Sequence, residues 1–161
     1  MNTASTARTE SRESTLSLAG EAGAAGYVVL TGRVLFAAIF LMASLGHFSQ
    51  QEIGYAAHQG VPMAGFLVPA SGVLALVGGL SVLTGYRARI GALMLVLFLV
   101  PVTITMHNFW AVKDPMMAQM HQAMFMKNLS MLGGALLIAH FGAGPMSLDA
   151  RAARSARNRA R

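Results

Sequence analysis

The chain has 161 residues, room for one domain, with 55% apolar and only 11% charged side chains and a net charge of +6. Soluble domains carry about 25% charged residues, so this balance excludes an ordinary water-surrounded fold and points to lipid. Cysteine is absent, which excludes a disulfide and any thiol relay run by the chain itself.

Residues 1–26 are Ser, Thr, Ala and Gly with alternating charges and no apolar run, and are expected to form a disordered tail. They lack the pattern of a secretory signal, so the first span is expected to direct insertion itself. The charge-free stretches that follow are Val34–Gln51, Ile53–Tyr86, Ile90–Val112 and Asn128–Leu148. A helix needs roughly 20 apolar residues to cross a hydrocarbon core. The four stretches therefore predict four spans, at about 27–48, 64–86, 90–110 and 123–141, within one domain over 27–149.

Span one carries Arg33, and span four carries Lys127 and Asn128 near its start. The turn Gly85-Tyr-Arg-Ala-Arg89 is short enough to force spans two and three into an antiparallel hairpin. In span two, Ser71, Ala75 and Gly79 are small residues at four-residue spacing, a surface on which a neighbouring helix packs closely. Asp114 followed by Pro115 reads as an N-cap and first-turn proline, so span four is expected to begin outside the membrane. Gly142, Gly144 and Pro145 end it, and residues 150–161 form a basic tail.

Ten arginines lie at or before the start of span one, in the hairpin turn or after span four, whereas Lys113 and Lys127 lie toward the other face. Basic residues mark the cytoplasmic side. The expected fold is thus an all-α, integral membrane four-helix bundle with both termini cytoplasmic and the loops 49–63 and 111–122 outside. The positive charge is topology, with anionic lipid headgroups as its natural partner and nucleic acid excluded.

An ionisable side chain within a membrane calls for a partner or a role. Arg33 reads either as a residue snorkelling to the surface or as part of a site. It shares a face with His47, fourteen residues on, yet lies about 21 Å away at 1.5 Å per residue, so the two cannot share one spot. His47, His107, Asn108, His121, Lys127 and Asn128 all fall near the outer boundary. Such donors around an apolar pocket would suit a quinone headgroup, and a histidine could exchange its proton. The methionines around His121 also compose a soft Cu(I) ligand set, but they are read instead as flexible apolar filler.

Several pieces of the chain together resemble the DoxX family of small membrane proteins. They are Arg33, Gly46-His47-Phe48, Gly60-Val61-Pro62, Gly78-Gly79-Leu80 with Gly85-Tyr86-Arg87, and His107-Asn108-Phe109-Trp110. Lys127-Asn128-Leu129, Leu132-Gly133-Gly134, Gly142-Ala143-Gly144-Pro145 and Ser147-Leu148-Asp149 complete the set. The resemblance implies a multi-pass protein of the bacterial cytoplasmic (inner) membrane. By association it implies a subunit of an oxidoreductase system, with other membrane or peripheral oxidoreductase subunits as partners and a homo-oligomer compatible with it. The expectation is contact with a quinone at the outer boundary through Arg33, His47, His107, Asn108, Lys127 and Asn128, with no haem or metal evident. A non-catalytic membrane anchor and a small-molecule or metal transporter are the alternatives.

Overall fold

The computed structural model describes residues 3–161, with side chains from residue 23 onward. It is all-helical, in the order α1 (Thr3–Gly46), α2 (Gln50–His58), α3 (Ala64–Thr84), α4 (Ala88–Met106), a single 3-10 turn (Phe109–Ala111), α5 (Pro115–Phe141) and α6 (Leu148–Arg159). Four segments are long and apolar enough to cross a membrane: Gly23–Gly46, Ala64–Thr84, Ala88–Ala111 and Pro115–Phe141. Helix α1 continues back to Thr3, through the stretch expected to be a disordered tail. Extending an existing helix costs far less than nucleating one. The side chains of that stretch lie outside the described residues.

The helices pack in series, α1 on α3, α3 on α4 and α4 on α5. Their shared core is Ala37 and Phe40 of α1, Ala75 and Val82 of α3, Ala92, Leu95, Phe98 and Leu99 of α4, and Ala135 of α5. Large apolar side chains also cover the outside: Leu35 is 70% and Leu97 65% exposed. A water-facing surface does not carry apolar cover on this scale, so these residues face the bilayer. Between helices in lipid, close packing supplies what hydrophobicity cannot.

Helix α3, in the middle of the series, is grooved on two sides. Gly72 admits the Cβ of His47, and Gly79 admits Leu41 and Phe40, all from the α1 side. On its other side Gly78 lies against Leu95 and the Gly91 carbonyl of α4. The expected stripe of Ser71, Ala75 and Gly79 is thus only part of the surface, because contact on two faces needs a glycine on each. Helices α1 and α5 meet where Phe36 lies over Gly134.

The outer loop expected at 49–63 contains helix α2. Its cap is Ser49, whose hydroxyl accepts from the Glu52 N–H at 3.2 Å, so Ser49-Gln-Gln-Glu52 is half of a capping box. Helix α5 starts eight residues before the expected span, because Asp114 caps it by accepting from the Met117 N–H at 2.8 Å and Pro115 occupies its first turn.

At the opposite end the segment after α5 turns back under the bundle. Asp149 accepts hydrogen bonds from the Arg87 N–H (2.8 Å) and the Ala88 N–H (3.1 Å), and its own N–H donates to the Gly85 carbonyl (2.9 Å). Arg87 sits in the left-handed region at φ 47° and has no side-chain cap of its own, so Asp149 serves as the cap of α4 from 62 residues away. Asp149→Ala is expected to lower stability by about 1 kcal/mol, the usual worth of an N-cap. Asp149→Asn, still a competent acceptor, should lose less. Thermal unfolding in mild detergent would check both.

Candidate functional site

The six residues on which function was placed divide between the two ends of the bundle. Arg33 stands at the end of the hairpin turn and is only 5% exposed. Its guanidinium donates from Nε to the Leu83 carbonyl (3.2 Å), from one terminal nitrogen to Ala143 (2.6 Å) and from the other to Met146 (2.8 Å). It therefore ties the last turn of α3 to the segment after α5 rather than snorkelling to the surface. All three guanidinium nitrogens are engaged by main-chain carbonyls of this chain, and Arg33 is absent from the lining of the cavity described next.

At the α2 end a cavity of about 890 Å³ opens among α1, α2, α3, α4 and α5. Its body is apolar, walled by Ile39, Phe40, Val68, Leu74, Phe98 and Val102 among others. The helices place the polar groups by register. On α5 the buried residues His121, Asn128 and Ala135 recur every seven residues, which puts them on one inward stripe. Of that stripe Asn128 lines the cavity, together with Lys127 and Met131, which flank it. His107 terminates α4 with a non-helical backbone and faces the same space. His47, one residue beyond the end of α1, donates from Nδ1 to the Ala43 carbonyl at 2.9 Å. Pro101 of α4 also borders the cavity, a point where the helix lacks one N–H.

Four of the predicted residues, His47, His107, Lys127 and Asn128, thus line a single cavity. Asn108 does not: helix α4 ends at Met106 with His107 as its cap, and Asn108 becomes the residue before the 3-10 turn. That turn builds an aromatic cluster instead, with Phe109, Trp110 and Phe125 at ring-centre distances of 5.1 to 5.9 Å. Glu52 and Tyr55 of α2 line the cavity too and were not anticipated. The capping-box spacing of Ser49 and Glu52 was the available signal that this loop holds a helix.

The polar rim is incompletely paired. The rings of His107 and His121 lie 5.9 Å apart, and the Nδ1 atom of each is buried without a hydrogen-bond partner. Asn128 is 4% exposed. Buried polar atoms of native proteins are almost always satisfied, so these two imidazole nitrogens are exceptions gathered at this end of the bundle.

Comparison with known proteins bears on what this architecture belongs to. The SURF4 family model matches residues 3–154, nearly the whole chain. The chain belongs to the SURF4 family. It is 35% identical over 127 residues to the inner membrane protein YqjF of Escherichia coli, covering 75% of this chain and 88% of that one. It is 29% identical over 126 residues to the ER-derived vesicles protein ERV29 of Saccharomyces cerevisiae, covering 78% of this chain. This SURF4 chain spans only about a third of ERV29, 34% of its length. No solved structure matches it.

Membership of the SURF4 family overturns the resemblance to DoxX and, with it, the expected role as a quinone-contacting subunit of an oxidoreductase system. The physical reason is visible in the motifs used. Glycines at helix crossings and turns, an arginine clamp and polar residues at span ends serve the packing of a four-helix membrane bundle, and they name no reaction.

Proposed function

We propose that this protein is a non-enzymatic binding protein of the bacterial inner membrane, which holds the apolar part of an amphipathic ligand inside the bundle and its polar head at the α2 end. The single observation that carries this is the cavity of about 890 Å³, apolar through its body and polar at its rim. Ligand sites are commonly concavities of about 300–1,000 Å³, mostly apolar with a few placed polar groups. The similarity to an inner membrane protein of E. coli supports the location. The arginine excess at the hairpin end supports cytoplasmic termini, and with them a cavity that opens toward the outer half of the membrane.

The test fills the cavity. Ala43 is a small residue of its wall on α1. Ala43→Trp is expected to weaken binding of a fluorescent alkyl-chain probe to the purified protein in nanodiscs by tenfold or more, with helicity and elution volume unchanged. A folded Ala43→Trp protein that binds the probe as tightly as the parent would overturn the reading.

A further inference from the structure

The ligand head is constrained by the charges around it. The chain has six carboxylate side chains: Glu10, Glu13 and Glu21 before the first span, Glu52, Asp114 and Asp149. Asp149 is committed at the opposite end, where it caps α4. Asp114 caps α5 and lies thirteen residues before Lys127 on that helix, about 20 Å away along the axis. Glu52 lines the cavity from α2, but it sits in the first turn of that helix, where the helix dipole already favours a negative charge. No ion pair joins it to Lys127 among the described residues.

Lys127 is therefore a cation on a helix long and apolar enough to span a membrane, sharing a largely apolar cavity with Glu52 but forming no ion pair with it among the described residues. The Lys127 side chain is exposed rather than buried, so an anionic group entering the cavity can reach it and form a charge-assisted hydrogen bond. Around it the cavity offers the Asn128 amide, on a side chain more than nine-tenths buried, and the His107 ring, which also lines it. His121, 7% exposed and unpartnered at Nδ1, backs His107. A cation with amide and imidazole donors is the recognition set for an oxyanion.

Resting on the reading of the cavity as a ligand site, we infer that its occupant is an anionic amphiphile: an alkyl chain in the apolar body and an acid group, carboxylate or phosphate, on Lys127 with Asn128 and His107. The chain-binding depth follows from α1, where Ile39 and His47, eight residues apart, both line the cavity. That span is about 12 Å, enough for a medium-length alkyl chain.

The experiment compares ligands that share one tail. The full chain in nanodiscs of zwitterionic lipid is loaded with a fluorescent polyene fatty acid. Decanoate, decyl phosphate, decanol and decylammonium then compete, each corrected for partition into empty discs. Decanoate or decyl phosphate should displace the probe at least tenfold more effectively than decanol, and decylammonium least well; which acid wins separates carboxylate from phosphate as the head. Lys127→Gln should erase the preference for acid over alcohol while decanol competes as before, and Lys127→Arg should keep it. Equal competition by acid and alcohol, or a preference that survives in Lys127→Gln, would overturn the assignment of an anionic head and leave the apolar site standing. Failure of the probe and every competitor to bind the folded protein would overturn the binding-site reading itself.

Discussion

Arg33→Met should be the most damaging single substitution in this chain outside the helix crossings, lowering the unfolding free energy by about 3 kcal/mol or more. Three main-chain carbonyls, of Leu83, Ala143 and Met146, lose their only described side-chain donor. Hydrogen bonds to a charged group are each worth about 1.5–3 kcal/mol, and the buried acceptors left behind keep their desolvation cost. The contributions do not add fully, since all three hang on one guanidinium. Arg33→Lys should recover only part of the loss, because an ammonium on a flexible stem does not reproduce a planar fork reaching three acceptors. The measurement is the unfolding midpoint in graded SDS against mild detergent, read by circular dichroism. The fraction that stays folded should bind amphiphile normally, as the clamp stands apart from the cavity. An Arg33→Met protein as stable as the parent would show that these carbonyls find other partners.

Gly78→Val should rival it, for a steric reason. A Cβ built on Gly78 would stand 2.8 Å from Leu95 Cδ2 and 2.9 Å from the Gly91 carbonyl oxygen of α4. The leucine could rotate away, but a backbone carbonyl within a facing helix cannot, so α3 and α4 must separate. Overpacking of a well-filled core costs about 1–3 kcal/mol, and valine adds two methyls to the clash. The cost is greater here because packing between helices is the main term holding a membrane bundle together. Gly133→Val offers the control, since nothing lies within 4 Å of a Cβ at that position. A marked fall in the SDS midpoint for Gly78→Val beside little change for Gly133→Val is the expected outcome, and equal midpoints would refute the crossing.

The spans were legible because lipid imposes a coarse rule, that long stretches go without charge, and such gaps survive any detail of packing. The gathering of His47, His107, Lys127 and Asn128 at one end was also legible, since topology alone determines which residues reach which face. Arg33 was harder to read: its partners are carbonyls 50, 110 and 113 residues away, and a carbonyl leaves no mark in residue type. Helix α2 was hidden by its brevity, even though Ser49 and Glu52 had the spacing of a cap. Asn108 was misplaced because nothing in its type announces that α4 ends at His107 and a 3-10 turn follows. Chemistry was the least legible level. Imidazole, amide and ammonium donors suit many acceptors, and a family resemblance built on glycines carried more functional meaning than those glycines could bear.

The knot at the hairpin end also has a bearing on biosynthesis. Arg33 leaves the ribosome 113 residues ahead of Met146, whose carbonyl it finally holds, and the α4 N-terminus waits about sixty residues for Asp149. Until the last helix has been inserted, a guanidinium and two amide donors at that end must be tended by water or phospholipid heads. Closure of this end thus requires the chain to have been made through Asp149, and a chain cut short before residue 143 could never display it.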